Sequence, residues 1–169
     1  MKEIIGQIFG IIAVIITFVS LQAKTRKSVL LIQTIATGCI IINYALLGAT
    51  SGFVLNIINF VRNTVYFFND KKFLSSPLIP YAFAVISVIF GALSWEGYYS
   101  IFLIVGLAIN TVFISKEPQA LRKSILLTST LILIYNIYVF SIGGILNETV
   151  ALTSSVIGII RFRQQKNKI

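Results

Sequence analysis

The chain of 169 residues has no histidine and one cysteine, Cys39. One thiol cannot form an intramolecular disulfide, and a zinc cluster would have no ligand set to draw on. Acidic residues are scarce as well: five Asp and Glu in total, without the carboxylate, His or Cys groupings that hydrolysis and acyl transfer use. No Gly-rich phosphate cradle occurs. Metal, redox and hydrolytic chemistry therefore find no footing, and neither an enzyme nor a cofactor is expected. Charge is sparse too, at 11% of residues against 57% hydrophobic, which is not the make-up of a water-soluble domain.

What the sequence does have is long apolar stretches punctuated by Lys and Arg. The 14 basic residues give a formal charge of +9. They cluster in short breaks between apolar runs and not along one face, so a nucleic-acid partner is not expected. The partner this composition calls for is the lipid bilayer.

A bilayer span takes about 20 mostly apolar residues, with charges, Gly or Pro marking its ends. Seven such runs are present, at 4–22, 29–47, 53–68, 78–95, 98–115, 125–142 and 145–160. The third and seventh carry the most polar residues, and six spans is the alternative count. Cys39 falls inside the second run. Lys2 and the following apolar stretch have the outline of a secretory signal, but Glu3 and the length of the run favour a retained span.

The breaks alternate in charge. Lys24, Arg26 and Lys27 follow the first run, Lys71 and Lys72 the third, Lys116, Arg122 and Lys123 the fifth, and Arg161, Arg163, Lys166 and Lys168 the last. The intervening breaks, near 49–52, at Glu96 and at Gly143-Gly144, have no Lys or Arg. Twelve basic residues on one side against Lys2 on the other put the amino terminus outside and the carboxyl terminus in the cytoplasm. Gly143-Gly144 reads as a tight outer turn, and Trp95 as a member of the interfacial aromatic belt.

The two halves resemble each other. Arg26-Lys27-Ser28-Val29-Leu30-Leu31 returns as Arg122-Lys123-Ser124-Ile125-Leu126-Leu127. Each copy then has a Tyr/Asn pair (Asn43-Tyr44; Tyr135-Asn136), a short Gly-containing turn and a polar-laced span ending in basic residues. Recurrence in one order predicts an all-α integral membrane protein of seven transmembrane helices, built as two three-helix repeats, 1–72 and 97–169, joined by a linker span within 73–96. Four spans separate the copies, so the repeats are parallel.

This 3+1+3 plan resembles the MtN3/SWEET and PQ-loop superfamily, which includes the PnuC-type vitamin transporters. Within it, Gln33, Asn43-Tyr44, Gly52, the stretch from Asn56 to Asp70, Trp95, Tyr135-Asn136, Gly143-Gly144 and Ile159-Ile160-Arg161-Phe162 are similar to the YgjV family of small bacterial inner membrane proteins. That resemblance covers nearly the whole chain and implies location in the bacterial inner membrane. It brings no settled activity. The sugar-transporting branch places a Pro-Gln hinge in the first helix of each repeat, whereas the run at 4–22 has no proline, so sugar as substrate is not carried over. Pro118-Gln119 falls in a basic break and reads as loop.

Polar groups inside a span must face protein or water. Asn56, Asn59 and Asn63 fall on one helical face, extended by Tyr66. Amides both donate and accept, so this stripe suits a small polar metabolite; hydrogen bonding between helices is the alternative use. In the repeat register Glu148 stands opposite Asn56, and Ser154 and Ser155 opposite Arg62 and Asn63. Arg62 near mid-span costs roughly 2.5 to 3.5 kcal/mol on insertion scales. It lies about 12 Å along the axis from Asp70, close enough to snorkel toward the surface, or else it offers a cationic contact to an anionic group. Glu148 sits near the outer end of its run, so a direct Arg62–Glu148 bond is not expected. Gln33, Thr34, Thr37, Thr128, Ser129 and Thr130 add weaker candidates, as do Asn43 and Asn136; Tyr44 and Tyr135 read as interfacial anchors. The expected substrate-binding set is Asn56, Asn59, Arg62, Asn63, Glu148, Ser155, Asn43, Asn136 and Gln33. The expected function is small-molecule transport between the repeats, with a non-transporting scaffold as the alternative. Oligomeric state is left open.

Overall fold

In lipid a backbone must satisfy its own hydrogen bonds, so apolar runs of this length become helices. The computed structural model describes residues 1–21, 26–68, 76, 78–113 and 118–166. Those residues form seven helices: α1 (Lys2–Leu21), α2 (Arg26–Leu47), α3 (Thr50–Phe68), α4 (Leu78–Leu93), α5 (Ser100–Phe113), α6 (Pro118–Tyr138) and α7 (Ile142–Lys166). Three of them hold stretches long and apolar enough to cross a membrane, at Lys2–Ser20, Leu30–Leu47 and Ile142–Ile160, and shorter apolar helices run at Leu78–Leu93, Ser100–Phe113 and Lys123–Tyr138. Large side chains such as Ile8, Ile15, Val85 and Ile89 stand about half exposed on the outer surface. A soluble protein would not tolerate so broad an apolar face, whereas lipid requires it. Gln22, Lys24, Asp70, Lys71, Lys72, Lys116 and Lys168 lie outside the described residues.

The helices pack in chain order around a ring. Each touches the next, and α7 closes back onto α1. Shorter contacts join α3 to α5 and α2 to α7, and α4 packs on both α3 and α5. One apolar cluster, around Leu55, Leu103, Ile104, Ile132, Tyr44 and Tyr135, holds the middle of the ring together. A second joins Leu30 and Tyr66 to Phe83 of α4, where Tyr66 meets the Phe83 ring edge-on at 6.3 Å.

Three boundaries differ from the sequence expectation. The sixth span was expected to reach residue 142, but α6 ends at Tyr138. There the Ser141 N–H donates to the Asn136 carbonyl at 3.0 Å, and Phe140 takes φ 52°. The turn after α2 is built the same way: Ala49 N–H donates to the Tyr44 carbonyl at 3.0 Å and Gly48 has φ 75°. Both are left-handed caps of the Schellman kind, one with the usual glycine and one with phenylalanine. Consequently Gly143-Gly144 is not the outer turn; it lies in the first turn of α7, where its lack of side chains serves packing. A Cβ on Gly143 would collide with the Gly10 backbone of α1, and one on Gly144 with the Asn136 amide. Finally, Pro118 and Gln119 are not loop but open α6, at the first helical turn where a missing N–H costs nothing.

A polar cavity inside the ring

The buried face of α3 carries Ser51, Gly52, Leu55, Asn59, Arg62, Asn63 and Tyr66, the three-to-four spacing of one helical stripe. Asn59, Arg62 and Asn63 of that stripe, but not Tyr66, line a cavity of about 340 Å³ to which six helices contribute and α4 does not. Thr17 comes from α1; Gln33, Thr37 and Tyr44 from α2; Asn56, Asn59, Arg62 and Asn63 from α3; Leu103, Leu107 and Asn110 from α5; Ser129 and Ile132 from α6; and Asn147, Glu148, Ser154 and Ser155 from α7. Of the expected set, seven residues come together here: Gln33, Asn56, Asn59, Arg62, Asn63, Glu148 and Ser155. Thr34, Thr37 and Thr130 satisfy their hydroxyls on the carbonyl four residues earlier in their own helices.

Arg62 does not snorkel. It is 6% exposed, and its guanidinium turns to the neighbouring helix and to its own: Nη1 donates to Thr111 Oγ1 at 2.7 Å, while Nε and Nη2 both donate to Asn63 Oδ1 at 3.4 and 3.2 Å. No carboxylate among the described residues pairs with it. The other charged group of the wall, Glu148, accepts from Asn147 Nδ2 at 3.2 Å and has the Ser129 hydroxyl at its side. The side-chain amides of Asn59, Gln33 and Asn110 make no hydrogen bond among the described residues. Asn56 does, to the Gly52 carbonyl of its own helix at 2.9 Å. The wall thus presents free donors and acceptors, one buried cation and one carboxylate to whatever fills it.

Asn43 and Asn136 are the exceptions to the expected set: they do not line the cavity. They sit at the end of the ring that carries the tight turns, exposed by 0% and 1%. Asn43 Nδ2 donates to the Gly6 carbonyl at 2.8 Å and its Oδ1 accepts from Ser141 Oγ at 2.7 Å, so it ties α2 to α1 and to the start of α7. Asn136 Oδ1 accepts from Tyr44 OH at 2.6 Å. Tyr44 and Tyr135 are likewise not interfacial anchors. They are 2% and 0% exposed, with rings meeting edge-on at 6.0 Å, and Tyr135 OH accepts from Gly52 N–H at 2.8 Å and donates to Glu96 Oε2 at 3.3 Å. Glu96 also accepts from the Thr50 N–H at the start of α3. Together these side chains close one end of the cavity. Trp95, at the same end, is half exposed.

Three polar lining residues escaped the sequence reading: Thr17 of α1, Asn110 of α5 and Asn147 of α7. Asn110-Thr111 interrupts an otherwise apolar helix, and the rule that in-span polar groups face protein or water would have flagged the pair. Asn147 stands in the wall beside Glu148, to which it donates.

A ring of apolar helices around a polar cavity defines a polytopic membrane protein. The family model described as bacterial inner membrane protein, Imp-YgjV, matches residues 4–166, and the chain belongs to that family. Its place is accordingly the bacterial inner membrane. No curated protein and no solved structure matches it.

Proposed function

We propose that the chain is a transporter or facilitator that moves a small polar metabolite through the cavity, and that it is not an enzyme. The observation that carries this reading is the wall itself: amides from α2, α3 and α5 and a buried arginine, the amides with no hydrogen-bond partner and the arginine with no counter-charge among the described residues. Groups of this kind are costly in a membrane interior unless a solute or water completes their hydrogen bonds. The architecture read from the sequence fits the same picture, with two parallel three-helix repeats, α1–α3 and α5–α7, joined by α4. Support comes from pairs that recur 92 residues apart. The caps at Gly48 and Phe140 stand in that relation, and so do Tyr44 and Asn136, which bond across the ring. The α1–α7 contact has its counterpart in α3–α5, with α4 outside the cavity.

In this reading the amino terminus is outside, so the end closed by Tyr44, Tyr135, Asn43 and Asn136 is the outer one. Rocking one repeat against the other would open it while the opposite end shuts. The test is uptake by proteoliposomes of labelled neutral, anionic and zwitterionic metabolites, with Arg62→Gln and Asn59→Ala alongside. Saturable uptake that both substitutions abolish is the expected result. No flux above empty liposomes for any solute would overturn transport and favour the inner membrane scaffold. A carboxyl-terminal green fluorescent protein that fails to fluoresce would overturn the orientation.

A further inference from the structure

The two charges of the cavity are kept apart, and the way each is satisfied says what would lie between them. A guanidinium has five N–H donors. Asn63 and Thr111 take up three of those on Arg62, which leaves one on each Nη. These two remaining N–H groups can donate to the oxygens of a carboxylate or of a phosphate. Asn63 and Thr111 hold the fork without neutralising it, because an amide oxygen and a hydroxyl carry no net charge. Glu148 is not its partner: its carboxylate is taken by Asn147 and Ser129, on α7 and α6.

The two groups also differ in depth. Glu148 is six residues into α7 from Ile142, near the closed end where Tyr44 lies, whereas Arg62 is twelve residues into α3 from Thr50. The helices run in the same direction away from their turns, so six residues of offset place the backbones of the two charges about 9 Å apart along the axis. Between those levels the wall is uncharged, with the Asn59 amide on α3 and Val150 and Ala151 on α7, while Ser154 and Ser155 stand at and just beyond the level of Arg62.

We infer that the cavity takes a small zwitterion, its anionic group seated on the Arg62 fork and its ammonium group on Glu148. The inference rests on the transport reading and names the substrate class for the same site. A solute with both charges at opposite ends gives the buried arginine a counter-charge and the carboxylate a partner, and leaves the net charge of the occupied cavity where it was. A plain anion would satisfy only Arg62, and a plain cation only Glu148. A neutral polyol would leave both.

Binding of three probes of one length to the purified full chain in nanodiscs tests this: 6-aminohexanoate, hexanoate and hexylamine. Wild type should prefer 6-aminohexanoate over each of the others by about tenfold, the worth of one charge-assisted hydrogen bond. Shortening to 4-aminobutyrate and glycine should weaken binding progressively, as the reach between the two seats is lost. In Glu148→Gln, hexanoate and 6-aminohexanoate should bind alike; in Arg62→Gln, hexanoate binding should vanish. The wild-type series needs no variant, so a substitution that fails to fold does not blunt it. Hexanoate equal to 6-aminohexanoate in wild type would overturn the zwitterion while leaving an anion transporter standing. A neutral polyol that binds and permeates where all three probes are silent would overturn it likewise, with transport intact. Silence of every probe and every solute in the flux panel would remove both readings together.

Discussion

Asparagine does two different jobs at the two levels of this ring. At the closed end, Asn43 and Asn136 are spent on the protein: each receives a hydroxyl, from Ser141 and from Tyr44, and Asn43 also donates to the Gly6 carbonyl. In the cavity, Asn59 and Asn110 have no protein partner among the described residues, and both line open space. One amide chemistry thus serves as a fastening where hydroxyls and carbonyls surround it and as a contact surface where they do not. Residue type alone does not separate these roles. The neighbours do, and substitutions should separate them by what they cost.

The heaviest effect should come from the fastened end. Valine at Gly143 would drive a Cβ into the Gly10 backbone, which has no rotamer with which to yield. Gly143→Val should lower stability by about 3 kcal/mol or more, read as early exposure of Cys39 to a thiol-reactive dye during heating. If it melts with wild type, the α1–α7 seam is not tight. Next in size is Tyr44→Phe, which removes the donor to Asn136 Oδ1. The Asn136 Nδ2 already has no partner among the described residues, so the whole amide would be stranded in a buried site. A loss of about 1 to 3 kcal/mol is expected in the same assay.

Smaller, and opposite in sign, is Phe140→Gly. Phenylalanine pays for its left-handed backbone where glycine would not, and its ring is largely exposed. A gain of about 1 kcal/mol should appear as a higher melting temperature. No gain would mean that the Phe140 ring holds its place in the bilayer surface more firmly than the backbone strain opposes it. The smallest change in stability should come from Asn59→Ala in the cavity, within about 0.5 kcal/mol. Its effect should fall instead on binding, as loss of the ligand-induced rise in melting temperature. A strongly destabilised Asn59→Ala would turn it into another fastening and erase the contrast between the two levels.

Much of this was legible in the sequence. The seven helices follow from apolar runs, and the Asn56, Asn59, Arg62, Asn63 stripe follows from its spacing on α3, because both signals are local. What escaped was tertiary. Tyr44 and Tyr135 have the composition of membrane anchors, and only partners distant in the chain, Asn136 for Tyr44 and Gly52 and Glu96 for Tyr135, show them buried. Gly143-Gly144 looks like a turn because glycine permits either a turn or a close approach, and the Gly10 backbone that decides between them lies at the other end of the chain. The true turn was hidden because its left-handed residue is phenylalanine. Arg62 could be placed either in the cavity or at the surface until Thr111 of α5 was seen to hold it.

The closure of the ring also has a consequence in time. Gln7 of α1 donates to the Phe140 carbonyl at 2.6 Å and accepts from the Ile142 N–H at 2.9 Å, contacts spanning 133 and 135 residues of chain. On the ribosome α1 therefore cannot find this neighbour until α7 begins to emerge. At about 5 to 20 residues per second that wait lasts roughly 7 to 27 s. Throughout it the Gly10 face of α1 and the amide of Gln7 stand in the bilayer unmatched. A newborn chain is thus an open crescent, vulnerable to proteolytic surveillance until α1 and α7 meet.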